Sequence, residues 1–198
     1  MKHNGFIGER RFCPSSAHKK DRLITCLPYV GIPIVGAALL FLQIGKINAF
    51  SLFLYELVIV FGYVAAILDI KTKRIPNILV IAMLAAWVLV ITPRLFFDTD
   101  AAVAQTMTSL LGFAMGGGMF LFVYLISRGG LGGGDVKFMA GVGLYLGFNG
   151  TITTMLFGTV LAALTGLILI MMKKISRKDK IPLAPFLYIG ILITVFLQ

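Results

Sequence analysis

The chain has 198 residues, 59% hydrophobic and 13% charged, with a mean hydropathy of +0.96. A soluble domain of this size is about half apolar and a quarter charged, so these values exclude a soluble globular protein and leave room for one membrane-embedded unit. The net charge of +10 does not point to nucleic acid, because the basic residues lie between apolar runs, where they set membrane orientation and meet anionic lipid.

The apolar runs are measured against a hydrocarbon core about 30 Å thick, which roughly 20 helical residues cross. A polar, basic segment, residues 1–26, comes first, and the membrane domain occupies 27–198. Leu27–Ile44 is the first expected span and is read as an uncleaved helix, since no small-residue cleavage site follows it. Phe50–Leu68, Ile78–Phe97 and Thr106–Ile126 follow. Val136–Phe148 is short, Thr151–Met172 is full length and Leu183–Leu197 is slightly short. None alternates polar and apolar residues as a barrel strand would. The expected fold is therefore all-α, a polytopic bundle of six or seven transmembrane segments with its N-terminus cytoplasmic.

That orientation rests on the basic residues. With a cytoplasmic N-terminus, every Lys and Arg except Lys46 and Arg94 falls on the cytoplasmic side, a strong positive-inside bias. The bias requires Val136–Phe148 to cross, or nearly cross, as a segment of its own; otherwise the basic loop around Lys173–Lys180 moves outside. Cys13 and Cys26 lie on the same reducing side, and no C-x-x-C pair is present, so neither a disulfide nor a zinc ribbon is expected.

Of the eight acidic residues, Glu9, Asp21 and Asp179 sit in basic segments, and Asp98 and Asp100 in the far-side loop. Glu56, Asp69 and Asp135 remain. A carboxylate in or against hydrocarbon is costly and marks a functional candidate. Asp69 ends the second span in "AAILDIKTKRIPN", and Asp135 follows the fourth in "GGGDVK". Each has a plain structural alternative: Asp69 pairing with Lys71 or Lys73, and the glycine run acting as a turn between helices. Taken together they lie at one membrane depth on different helices. Two carboxyls ~3 Å apart cannot both ionise cheaply and share a proton. One then activates a water as general base while the other, protonated, polarises a scissile carbonyl. That arrangement needs no metal, cysteine or cofactor. Glu56 lies about 20 Å along the helix from Asp69 and cannot join the pair; its expected partners are Lys46 or Arg94. Gly132, Gly133 and Gly134 would let a substrate backbone approach Asp135. Pro76 and Asn77 read as a helix start, and Gly112 with Gly116 as a small-xxx-small packing pair.

"DIKTKRIPN" at 69–77, "GGGDVK" at 132–137 and "KIPLAPFLYIG" at 180–190 together resemble the type IV prepilin peptidases, membrane aspartic proteases of the GxGD type. The three motifs occur in the family's order and span over half the chain. The resemblance implies Asp69 and Asp135 as the catalytic pair and a prepilin-like substrate, cut on the cytoplasmic face of a bacterial or archaeal inner membrane after a glycine that ends a short basic leader. In that family the mature substrate usually carries a glutamate a few residues after the cut, so the resemblance implies Lys137 or Arg74 as a partner for it. Without the two C-x-x-C pairs of bifunctional members, the chain resembles the short members, and methyltransferase activity is not expected.

Two other readings stay open at this stage. A presenilin-like intramembrane protease would place both aspartates deeper and carry Pro-Ala-Leu, where this chain has Leu183-Ala184-Pro185. A non-enzymatic carrier would use the two aspartates to bind a proton or cation, but the halves show no convincing repeat. Within the pair, helix dipoles alone assign the charge: Asp69 at a helix C-terminus is disfavoured as a carboxylate, and Asp135 at the start of the next helix is favoured. The expected base is thus Asp135, with the shared proton on Asp69.

Overall fold

The computed structural model describes residues 49–127, 130–172 and 182–198. The expected segment 1–26 and span Leu27–Ile44, with Cys13, Cys26 and Lys46, lie outside the described residues.

The described residues form five helical elements: α1 (Ala49–Thr72), α2 (Asn77–Phe97), α3 (Thr99–Ile126), α4 (Gly133–Met171) and α5 (Ala184–Leu197). The first four are long and apolar enough to cross a membrane, and α5 is a shorter apolar helix. Large apolar side chains such as Leu89 (76% exposed), Phe97 (91%) and Leu125 (66%) stand outward. In water such a surface would be a liability; in lipid it is the solvent-facing side. The all-α architecture expected from composition is the one observed.

α3 starts earlier than the apolar run. Asp98 caps it, its Oδ1 accepting from the Ala101 amide at 3.3 Å, so the polar stretch from Thr99 to Gln105 is already helical and the helix reaches 28 residues.

α4 settles how the short segment Val136–Phe148 is used. Its 39 residues contain one non-helical position, Gly147, at φ 67° and ψ −171°, a conformation glycine adopts without steric cost. The chain doubles back there. Both the Met139 carbonyl, at 2.6 Å, and Thr151 Cγ2, at 3.0 Å, face the position a Cβ on Gly116 would take. In one continuous helix those two residues would be about 18 Å apart. α4 is therefore a hairpin with arms 133–146 and 148–171. The second arm runs antiparallel to α5: Gly150 faces Thr194 and Gln198, Gly158 faces Leu187, and the Thr154 and Thr194 hydroxyls are 2.8 Å apart.

The first arm is the centre of the bundle. Every residue from Phe138 to Leu146 is buried. Its 14 residues span about 21 Å, short of the hydrocarbon thickness. The shortfall carries no cost, because protein rather than lipid surrounds it. Tyr145 Oη donates to the Met83 carbonyl at 2.7 Å, tying the arm to α2, and Gly112 of α3 lies against Gly143 and Gly147. The small-xxx-small pair on α3 thus serves close backbone packing, as its spacing indicates. The hairpin returns the chain, so the ends of α1, α3 and the second arm lie at one end of the bundle with the starts of α2, α4 and α5.

Glu56 is exposed on α1 and well away from this end. Arg94, one of its two expected partners, lies instead over the Phe50 ring, 4.0 Å from the centroid. There the guanidinium is attracted to the negative face of the ring.

Candidate active site

At that end α1 stops by a local device. The Thr72 hydroxyl lies within donating distance of two carbonyls, Leu68 at 2.8 Å and Arg74 at 2.9 Å. The Lys73 amide donates to the Asp69 carbonyl at 2.7 Å. Lys73 itself adopts φ 52°, the left-handed conformation that commonly closes a helix and that costs a non-glycine residue something of order 1 kcal/mol. The turn directs Ile75 inward, where it is buried, and Pro76 precedes the first residue of α2 with an extended backbone. Asn77 does start a helix, as its motif indicates.

Ile75 meets the glycine run. A Cβ on Gly134 would lie 3.1 Å from both the Ile75 carbonyl oxygen and its Cβ, and 3.3 Å from its amide nitrogen. The two motifs, nearly 60 positions apart in sequence, are therefore in backbone contact. Between them is a cleft of about 320 Å³ lined by Asp69, Lys73, Arg74, Ile75, the three glycines Gly132 to Gly134, and Asp135. The structure thus brings Asp69, Asp135, Gly132, Gly133, Gly134 and Arg74 into one site.

The two carboxyls sit differently. Asp69 is 5% exposed, and its Oδ2 accepts from the backbone amide of Ala184 at 3.0 Å. That amide belongs to the first turn of α5, whose free N–H groups suit an anion. Asp135 is the third residue of α4, one turn past the Gly132 cap. The Gly132 backbone bonds to its carboxyl, in the manner of a capping-box side chain. Its Oδ1 is buried with no partner. An orphaned carboxyl oxygen in a cleft is costly.

The three glycines have different local duties. A Cβ on Gly132 would lie 2.8 Å from Asp135 Oδ2, one on Gly134 would strike the Ile75 backbone, and one on Gly133 would meet nothing within 4 Å. Gly134→Ala is accordingly expected to cost about 1–2 kcal/mol by forcing the 73–75 turn aside. Gly133→Ala should stay within about 0.5 kcal/mol of the parent. Thermal unfolding in detergent checks this, and equal losses at both positions would count against the contact.

Lys137, grouped with the site from sequence, does not line the cleft. Its Nζ donates to Asn77 Oδ1 at 3.0 Å, and it borders a separate groove between α2, α3 and the first arm of α4. Sequence reasoning missed the Ala184 amide. "LAPF" pointed there only as a motif, because a backbone donor leaves no mark on residue identity. It named Lys73 only as a pairing partner of Asp69 and missed Ile75; the turn that ends α1 brings both to the cleft.

A family described as the type IV leader peptidase family matches residues 56–167, a range that includes both aspartates. The chain belongs to this family. It is thus a protease, and its apolar helices make it a multi-pass membrane protein. A prepilin leader peptidase/N-methyltransferase of Bacillus subtilis (strain 168) is 27% identical over 187 residues, covering 93% of this chain and 70% of that protein. Proteins of the same name from Legionella pneumophila and Stutzerimonas stutzeri are 28% identical over 129 residues and 26% over 135. The peptidase aligns with 44% and 46% of those two proteins' lengths. No solved structure matches it significantly.

Proposed function

We propose that the protein is a membrane aspartic endopeptidase that removes the short basic leader from prepilin-like precursors, with Asp69 and Asp135 as its catalytic pair. The observation that carries this reading is the shared cleft: two acids from separate helices, beside a glycine run open enough at Gly133 to admit an extended chain. The family membership and the relatives' names supply the substrate class. The site end of the bundle is the basic one, with Lys71, Lys73, Arg74 and Lys137 on described residues there and Arg94 at the other. By the positive-inside bias it faces the cytoplasm, in the inner membrane of a bacterium or archaeon, with anionic lipid around the basic rim. A buried Asp69 facing a half-buried Asp135 at the basic end of the bundle favours a peptidase over a carrier, and their place at helix ends beside the connecting loops favours leader cleavage over the deeper chemistry of a presenilin-like enzyme.

The chemistry follows from the contacts. Both carboxyls meet a helix N-terminus, so dipoles no longer distinguish them; the environments of the individual oxygens do. The Ala184 amide stabilises a charged Asp69, and the unpartnered Oδ1 of Asp135 suits the protonated oxygen. Asp69 then takes a proton from water as the water attacks the scissile carbonyl, and Asp135 donates to that carbonyl's oxygen. The proton Asp69 gained goes to the leaving amine as the C–N bond breaks, while Asp135 takes back a proton from a hydroxyl of the tetrahedral intermediate, which leaves the new carboxyl and restores the starting state of the pair. This reverses the order that helix dipoles alone give, because the start of α5 meets the end of α1.

Co-expression with a prepilin-like precursor tests the reading. Loss of the leader by mass, unaffected by a metal chelator, is the expected result. An intact precursor in membranes that contain the folded protein would refute it.

A further inference from the structure

We propose that the groove along α2, α3 and the first arm of α4 receives the apolar membrane-spanning helix of the substrate, a proposal that rests on the leader-peptidase reading and adds where the substrate lies. Two hollows adjoin along α2. One, of about 610 Å³, runs from Asn77 and Lys137 past Ile81 and Leu84 to Gly117 and Gly118. The other, of about 680 Å³, shares Ile81 and Leu84 and continues to Thr92 and Pro93. From Asn77 to Pro93 along the α2 axis is about 24 Å, most of a hydrocarbon thickness. That length fits a helix lying beside α2 rather than a single side chain.

The groove has the surface that helix packing in lipid uses. Its floor includes Ala114, Gly117, Gly118 and Ala140, small residues over which another backbone can come close. A Cβ on Gly118 would meet nothing within 4 Å. Its walls are aliphatic and stand exposed, with Ile81 at 58% and Leu121 at 48%.

The head of the groove is joined to the catalytic cleft. Val136 and Lys137 border the groove, and Asp135, the residue before them, borders the cleft. A chain leaving the groove reaches Asp135 by crossing the first turn of α4, a path of a few residues at about 3.3 Å each. It passes the open side of Gly133. The Lys137 ammonium at this end is held only by the neutral Asn77 carbonyl oxygen among the bonds it makes with described residues. It therefore matches an acidic side chain placed between the cut and the apolar helix. Length, small-residue floor, continuity with the cleft and a cation with no acidic partner among the described residues together select an apolar helix with an acidic residue at its site end.

The test uses the full chain in membranes, with Cys13 and Cys26 replaced by Ser, and a prepilin-like precursor as probe. With the uncut precursor trapped by Asp135→Asn, Gly118→Cys is expected to form disulfides with single cysteines scanned along the precursor's apolar segment, recurring every three to four residues. Leu164→Cys, on the outer side of the second arm, should form none. In the otherwise active protein, Gly118→Trp should raise KM about tenfold, the factor that follows when roughly 1.4 kcal/mol of binding is lost, with kcat within about twofold. Wild-type cleavage with unchanged KM in Gly118→Trp and no disulfide would overturn the groove, leaving it a lipid site. Absence of wild-type cleavage would overturn the leader-peptidase reading and this proposal with it.

Discussion

Asp69→Asn and Asp135→Asn are each expected to lower the rate of leader cleavage by roughly 10³-fold or more, within the range that positioned acid–base groups supply, while the protein remains folded and inserted. Asn keeps the shape of the carboxyl. At position 69 its carbonyl oxygen can still accept from the Ala184 amide, which is 3.0 Å from Oδ2 in the parent, so the junction of α1 with α5 survives. What it loses is the capacity to take a proton from water. At position 135 it cannot donate an acid proton to a carbonyl. Because the proposed base and acid act in the same step, each of no use without the other, the double variant should be no more than a few-fold slower than either single one, as for residues that act as a unit. Independent, multiplying losses would indicate two separate roles and break up the pair. Substantial turnover by either single variant would remove that residue from the chemistry. Unfolding curves and membrane insertion recorded alongside the rates separate lost chemistry from lost protein.

Much of this architecture is legible in the sequence, for reasons specific to a membrane. Lipid allows a backbone few conformations, so long apolar runs are helices, and the runs Phe50–Leu68, Ile78–Phe97 and Thr106–Ile126 lie within the helices Ala49–Thr72, Asn77–Phe97 and Thr99–Ile126. Charge is rare enough in such a chain that two carboxylates at span ends draw notice by themselves. The hairpin in α4 is harder to see. The positive-inside bias asks for a separate segment at Val136–Phe148, but it does not say which residue turns; that is shown by the non-helical backbone of Gly147 and by Met139 and Thr151 meeting at Gly116. The environment of Asp69 is harder still. Its helix end reads as a poor place for charge until the start of α5, 115 positions away, supplies an amide. Lys137 shows the opposite limit: two residues from Asp135 in sequence, it turns round the helix to another surface, since residues two apart on a helix do not share a face.

Gly112→Ala and Gly143→Ala are each expected to destabilise the protein by about 3 kcal/mol or more, at or beyond the upper end of ordinary overpacking, and to reduce activity with it. The reason lies in what a new methyl would strike. On Gly112 it would run into the Gly143 carbonyl and the Gly147 backbone; on Gly143, into the Gly112 carbonyl and the Phe113 amide. A side chain in the way can change rotamer, but a backbone cannot, so the two helices must separate along their contact. The first arm of α4 has no slack for that movement: its opposite side is packed on α2 through the buried Met83 and the Tyr145 hydrogen bond. The same arm carries Asp135 at its start, so a shift at Gly143 displaces the proposed catalytic carboxyl two to three turns away. Gly118→Ala, one face round on α3 where a Cβ meets open space, should change stability by no more than about 0.5 kcal/mol. Unfolding of the three variants in mixed micelles gives the comparison. If Gly112→Ala and Gly143→Ala unfold together with Gly118→Ala, the close approach of α3 to the first arm is not what holds the bundle around its central helix.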